Sequence, residues 1–210
     1  MPESQYVTTK TDKDWLFLHH TAGWHNPYGT IQGWSNDDRG KVGTEFVLGG
    51  QSIKGDDNSH DGVLVQAFPT GCYAWHLGVG NTELHRNSVG IEICNFGQVV
   101  NGQTWAGRTV VDSQKVTLAK PFRGFKVWHR YSNTQLNTLK EFIKFIANRD
   151  NIDVRKGLPE LIKSKGAAAF DMCSVPTVTK TKGLWTHTNV IKTKVDCFPQ
   201  QELIDLLLSL

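Results

Sequence analysis

Two adjacent histidines close the first apolar run of the sequence, and at least one of them could bind a metal ion. The segment "LFLHHTAGWH" places His19 and His20 where an apolar strand gives way to a turn. Neighbouring side chains on a strand point to opposite faces, so only one of the two imidazoles can face the core side. A buried imidazole is costly unless its nitrogens have partners. The pair indicates either a metal ligand at the end of a strand, or one core histidine beside one surface histidine.

A second apolar run also ends on a histidine. The segment "GLWTH" closes on His187, and "KTKVDC" a few residues later offers Asp196 and Cys197. If the two strands are neighbours in a sheet, two imidazoles and one anionic side chain meet and leave a fourth position open, as in catalytic zinc sites. A thiolate is the softer zinc ligand, so both Asp196 and Cys197 remain candidates.

A carboxylate interrupts a third apolar run, "SVGIEICNFG", at Glu92. Carboxylates are rarely buried without a partner, so Glu92 needs either a chemical role or an ion pair with a lysine or arginine. Beside a metal ion it could act as a general base. Glu45 and His76 are the next candidates for that role.

Composition places the chain among ordinary globular proteins. It has 210 residues, 39% hydrophobic and 20% charged, with a formal net charge of +3. We expect one domain over residues 1–210 with no separate cell-wall-binding domain, and the charge is too small to indicate nucleic-acid binding. The polar start "MPESQYVTTKTDKDW" lacks a signal-peptide pattern, and no apolar run predicts membrane insertion. The four cysteines have no paired spacing, which favours reduced thiols.

The order of elements predicts an α/β fold with helices packed on a sheet. The clearest helix is 132–149, where Ser132 and Gln135 form a capping box before an apolar stripe. A closing helix is predicted from Pro199, and a short one after Thr30. Residues 101–128 and 150–182 are predicted to be loop insertions. The predicted strands are 15–19, 44–50, 62–69, 88–97 and 183–187.

The order of six motifs resembles the type 2 N-acetylmuramoyl-L-alanine amidases. The motifs are "LHHTAG", "GTEFVLGG", "DGVLVQAFP", "AWHLG", "NSVGIEICN" and "WTHTNVIKTKVDC", and they cover about residues 15–100 and 130–210. The family includes phage endolysins, muropeptide-recycling amidases and peptidoglycan recognition proteins. The resemblance implies a single domain with a central mixed β-sheet flanked by α-helices and a zinc ion in a groove on one face.

The resemblance also assigns roles to individual residues. It implies one zinc ion per chain held by His19, His187 and a third ligand, for which the spacing after Lys194 favours Asp196 over Cys197. His20 then becomes a structural neighbour.

Glu92 matches a catalytic glutamate of the family, and Lys194 a lysine that faces the substrate carbonyl. His76 matches a groove-lining histidine. Thr44 stands where some relatives have a catalytic tyrosine. A threonine cannot replace a phenol as an acid, although it can hold a water molecule, so the burden of catalysis moves to Glu92.

The resemblance implies a zinc amidase that acts on peptidoglycan or a muropeptide, with a phage endolysin as the leading interpretation. A cytosolic recycling amidase and a non-catalytic peptidoglycan-binding module are the alternatives. We expect a monomer that is made in the cytoplasm and acts on the cell wall after release, with no nucleic-acid partner.

Overall fold

The computed structural model describes residues 1–210 as one α/β domain built on a five-stranded sheet. The strand order is β3-β2-β4-β1-β9, in which β3 is antiparallel to β2 and the other pairs are parallel. The predicted fold class, a mixed central sheet with helices, is therefore confirmed. The sheet strands are β1 Trp15–His20, β2 Phe46–Leu48, β3 Leu64–Gln66, β4 Ser88–Ile93 and β9 Gly183–Thr186.

The central strands are apolar because both of their faces are covered. Every residue of β1 is buried, as are all but one of β4 and all of β9. Continuous apolar runs are typical of parallel strands buried on both sides. The one partly exposed position of β4 is Glu92, which lies opposite His19 in the register.

The helices are α1 Pro27–Ser35, α2 Thr82–Arg86, α3 Asn133–Asp150, α4 Leu158–Lys165, α5 Val175–Lys180 and α6 Gln201–Leu208. The N-cap of α3 is Ser132, as predicted, and its hydroxyl accepts from the Gln135 amide. The apolar stripe of α3 is buried, and Phe142 meets Phe46 of the sheet at 4.8 Å between ring centroids. No helix combines the length and the apolar character that crossing a bilayer requires.

Three predicted boundaries are wrong by a few residues. Asn26, not Thr30, caps α1, because its side-chain oxygen accepts from two backbone amides of the first turn. The closing helix begins at Gln201 rather than Pro199. Strand β9 ends at Thr186, so His187 opens a short 3-10 helix instead of ending the strand.

Both predicted loop insertions are instead structured. Residues 101–128 carry most of two antiparallel pairs, β5 Val99–Val100 with β6 Gln103–Thr104, and β7 Lys115–Phe122 with β8 Phe125–His129. The β7–β8 turn needs left-handed backbone at Arg123 and Gly124, with φ of 51° and 84°. Residues 150–182 contain α4, α5 and a 3-10 helix, whose buried Leu158, Ile162 and Phe170 join the main core.

Candidate metal centre

The candidate site forms where three parallel strands end side by side. Strand β1 lies between β4 and β9, with His19 opposite Glu92 and Leu18 opposite Thr186. Register partners on parallel strands project to the same face, so His19 and Glu92 share one side of the sheet. His187 follows β9 directly and meets them there. The sheet topology thus brings together residues that are far apart in the sequence.

His20 projects to the other face, as strand alternation requires. Its Nδ1 lies 2.8 Å from the Tyr131 hydroxyl, and its ring packs against Trp128 and Phe198. Burial lowers the pKa of His20 to about 4, so its ring is neutral at physiological pH. His20 is therefore a core residue hydrogen-bonded to a tyrosine.

His19, His187 and Asp196 converge closely enough to hold a metal ion. The two Nδ1 atoms are 3.0 Å apart, and Asp196 Oδ2 lies 3.0 Å from His187 Nδ1 and 3.4 Å from His19 Nδ1. Ligand atoms that share a tetrahedral zinc at 2.0–2.1 Å are roughly 3.3 Å apart. All three residues are buried, and their ligand atoms fall within 4.8 Å of one another.

A chain of hydrogen bonds determines which nitrogen of His19 carries the proton. The Ser88 hydroxyl donates to the Leu84 carbonyl, so its oxygen accepts from His76 Nε2 at 2.8 Å. His76 Nδ1 is then an acceptor and receives the His19 Nε2 proton at 2.9 Å. Because a carbonyl ends the chain, we infer that His19 is protonated on Nε2 and bare on Nδ1.

His187 reaches the same state through a backbone carbonyl. Its Nε2 donates to the Leu77 carbonyl at 2.9 Å, which leaves Nδ1 bare. Two lone pairs and a carboxylate oxygen therefore face one another, and only a cation placed among them relieves that repulsion. Outer hydrogen bonds of this kind are typical of histidines that bind metal.

The charge states of the three residues suit a metal ion as well. Burial and the neighbouring His187 lower the pKa of His19 to about 4, which keeps it neutral. Burial alone would raise the pKa of Asp196, but His187 and His19 outweigh it and hold that pKa well below its usual range. Neutral imidazole and ionised carboxylate are the forms that metal ions bind.

Cys197 lies outside this group of three. It is fully buried in the main core, on the side of Tyr131, and burial raises the pKa of its thiol well above the usual value. The protonated thiol is a poor ligand. Of the two candidates for the third ligand, the structure brings Asp196 to the histidines.

Glu92 and Lys194 line the cavity above the three residues without a partner in the chain. The cavity has a volume of about 300 Å³, and its walls include Thr30, Trp34 and Arg39. No hydrogen bond or ion pair within the chain uses the Glu92 carboxylate or the Lys194 ammonium group. Burial raises the pKa of Glu92 well above its usual value, and Asp196 adds to the shift. A desolvated, unpaired carboxylate beside a metal group is typical of a functional site.

Two other candidates are turned away from the cavity. The Thr44 hydroxyl donates to the Phe46 carbonyl at 2.7 Å, and the residue is 1% exposed. Thr44 therefore does not present its hydroxyl to a substrate. Glu45 forms a buried ion pair with Arg149 at 2.7 Å, which identifies it as a structural carboxylate.

His76 lines the cavity, as predicted for a groove residue, but both of its ring nitrogens are engaged by His19 and Ser88. Burial and the surrounding imidazoles lower its pKa well below the usual value. Gly90 makes room for the ring, since a Cβ there would lie 3.1 Å from His76 Nδ1 and 2.8 Å from Thr44.

Sequence reasoning missed the residues that hold the loop carrying Asp196. The Arg123 guanidinium donates to the Lys192 carbonyl at 2.5 Å and to the Thr188 carbonyl at 3.1 Å. The Asn189 amide donates to the carbonyls of Ala169 and Asp171, both at 2.9 Å. Each insertion thus supports the metal loop. Only the buried asparagine in "WTHTN" could have hinted at this from sequence.

Comparison with protein families gives a match over residues 9–196 to the family described as N-acetylmuramoyl-L-alanine amidase (Amidase_2). No curated protein matches the sequence significantly.

Solved structures share the fold at low sequence identity. The structure of PlyL has a TM-score of 0.50 and 14% identity, covering 91% of this chain and 77% of PlyL. A selenomethionine derivative of AmpD has a TM-score of 0.49 and 14% identity, covering 99% and 92%. The amidase AmiD from E. coli, solved with an anhydro-N-acetylmuramic acid peptide, has a TM-score of 0.43 and 19% identity, covering 70% and 48%.

Proposed function

Because the chain belongs to the N-acetylmuramoyl-L-alanine amidase family, we propose that it is a zinc-dependent hydrolase of the amide between N-acetylmuramic acid and L-alanine in peptidoglycan. The observation that carries the zinc is the convergence of His19 Nδ1, His187 Nδ1 and Asp196 Oδ2, all without protons. A zinc ion bound there would supply positive charge that polarises the substrate carbonyl and acidifies water.

Glu92 is the proposed general base. It shares a face of the sheet with His19, lines the cavity and has no partner within the chain. Its raised pKa suits a group that accepts a proton and releases it again in the same cycle. Glu92 takes the proton of the attacking water and delivers it to the alanine nitrogen as the amide breaks.

Lys194 is the proposed electrostatic partner of the carbonyl oxygen. It projects from the loop that carries Asp196 and lines the same cavity, where no carboxylate neutralises it. A fixed cation at the point where negative charge develops lowers the barrier of acyl transfer. His76 acts on His19 from behind and has no free nitrogen for the reaction.

The test is hydrolysis of purified sacculi by the purified chain. We expect new alanine amino groups, one zinc ion per chain, and loss of both hydrolysis and zinc after chelation. Binding of sacculi without release of amino groups would identify a non-catalytic binding module. Full activity after complete removal of zinc would refute the metal assignment.

Within this activity we propose a lytic role of the endolysin type, in which the enzyme reaches the cell wall after release from the cytoplasm. The support is an exposed aromatic surface beside the cavity, described below, which suits a polymer more than a small muropeptide. The test compares the rate on intact sacculi with that on a soluble muropeptide. A strong preference for the soluble substrate would favour the recycling role instead.

A further inference from the structure

Two tryptophans stand exposed beside the metal cavity. Trp24 is 54% exposed and Trp105 is 70% exposed. Both lie against the turn that follows β1. Thr21, the first residue of that turn, lines the cavity, and the Trp105 indole N–H donates to the carbonyl of the next residue, Ala22. The exposed aromatic surface is thus continuous with the cavity rim.

Both rings are held in place despite their exposure. The indole hydrogen bond fixes Trp105, and Trp24 packs edge-on against Phe96 at 5.9 Å between centroids. The Arg108 guanidinium lies 5.1 Å from the centre of the Trp24 ring. A rigid aromatic surface loses little conformational entropy when a ligand binds it.

The first part of the 101–128 insertion exists as a support for this surface. Trp105 and Arg108 lie on the loop that follows β6, closed by hydrogen bonds from the Thr104 amide to the Arg108 carbonyl and from the Gly107 amide to the Thr104 carbonyl. The Val110 amide returns to the Gly102 carbonyl. The loop therefore presents its two long side chains on a closed frame.

We propose that Trp24, Trp105 and Arg108 form a saccharide-binding subsite that holds the glycan strand beyond the muramic acid whose amide is cleaved. This proposal rests on the proposed function for its occupant. The C–H face of a pyranose ring packs on an indole face, whose electron density attracts those hydrogens. The guanidinium donates to the acetamido and hydroxyl oxygens that surround the ring.

The arrangement favours a glycan over a lipid surface. A guanidinium covers one of the two indoles, so the rings do not merge into the continuous apolar face that inserts into a bilayer. Continuity with the cavity gives the same direction, since a polymer that enters the site must leave it across the rim.

The experiment measures binding of a hexamer of β-1,4-linked N-acetylglucosamine by tryptophan fluorescence and by calorimetry. This probe carries the acetamido sugars of the glycan but no lactyl amide, so its binding does not depend on hydrolysis. We expect saturable binding by the wild type and roughly a 10-fold or larger loss of affinity in Trp105→Ala, as for other exposed aromatic anchors. Arg108→Gln should also weaken binding.

Phe145→Ala is the matched control. Phe145 is 53% exposed and has an arginine 5.8 Å from its ring, but it lies on α3 and not at the cavity rim. Its loss should leave hexamer binding unchanged. Thermal unfolding of each variant verifies that it is folded.

Three results would overturn the proposal. One is a wild type that does not bind the hexamer, and another is a Trp105→Ala variant that binds it as the wild type does. The third is a Trp105→Ala defect confined to vesicles of anionic phospholipid. Amide hydrolysis is assayed separately on sacculi, so hexamer binding without hydrolysis would refute the proposed activity and leave the subsite standing.

Discussion

Replacing His76 with leucine should weaken zinc binding although His76 does not touch the ion. The substitution removes the acceptor of the His19 Nε2 proton, a hydrogen bond of 2.9 Å inside the protein. In the metal-free chain, His19 can respond by moving its proton to Nδ1 and donating to His187 or Asp196. In the metal-loaded chain it cannot, because Nδ1 must stay bare. The cost therefore falls mainly on the loaded state.

The size of the effect follows from that asymmetry. A buried imidazole N–H without an acceptor costs about 1–3 kcal/mol. Since 1.4 kcal/mol corresponds to a factor of ten, zinc affinity should fall roughly 10-fold to 100-fold, the range found for outer hydrogen bonds of metal ligands. His76→Gln should recover part of the loss, because an amide oxygen can accept the same proton. Ser88→Ala should have a smaller effect, since it removes only the anchor of His76.

The assay is competition for zinc against a fluorescent chelator of known affinity, with thermal unfolding of each metal-free variant measured in parallel. Cys197→Ser serves as the control, because Cys197 adjoins Asp196 in sequence but lies outside the metal group. A folded His76→Leu variant that binds zinc as tightly as the wild type would refute the reasoning. Equal losses in the leucine and glutamine variants would point to packing instead of hydrogen bonding.

Three further outcomes are expected. Asp196→Ala should lose zinc and activity while Cys197→Ser retains both, as metal analysis will show; the reverse pattern would reassign the ligand. Glu92→Gln should keep its zinc and its stability but lower the hydrolysis rate roughly 100-fold to 10,000-fold, the worth of a positioned base; an unchanged rate on sacculi would remove Glu92 from the mechanism. Arg149→Met should lower the free energy of unfolding by about 3 kcal/mol, because it leaves Glu45 buried and unpaired. Burial already raises the pKa of Glu45, so protonation should relieve this loss as the pH falls, and denaturant unfolding at pH 8 and pH 5 should show a smaller loss at pH 5.

The sequence was sufficient to predict the sheet strands and the main helix because their signals are local. The continuous apolar run of β1 and the capped stripe of α3 are readable without any partner. The meeting of His19 with His187 could be expected only from strand order, which depends on contacts between distant segments. The family resemblance supplied that order, and the register in the structure now gives its physical basis.

Other features could not be predicted because they depend on tertiary contacts alone. The hairpins of the 101–128 insertion carry short strands with many lysines and threonines, which lack a strong alternating pattern. The role of Ser88 behind His76 depends on the spatial approach of β4 to the "AWHLG" segment. Arg123 looks like any surface arginine in the sequence, yet its side chain is only 13% exposed and holds two carbonyls of the metal loop.

The separation of the two histidines also constrains how the protein is assembled. His19 and His187 are 168 positions apart, and β9 reaches β1 as an outer strand of the sheet. Closing so long a loop is entropically costly, and such distant pairings form late in folding. A growing polypeptide would carry His19 without its partner until β9 had been synthesised. Metal uptake would then report that the sheet is complete, and chains arrested before β9 would be unable to hold the ion and so would be inactive.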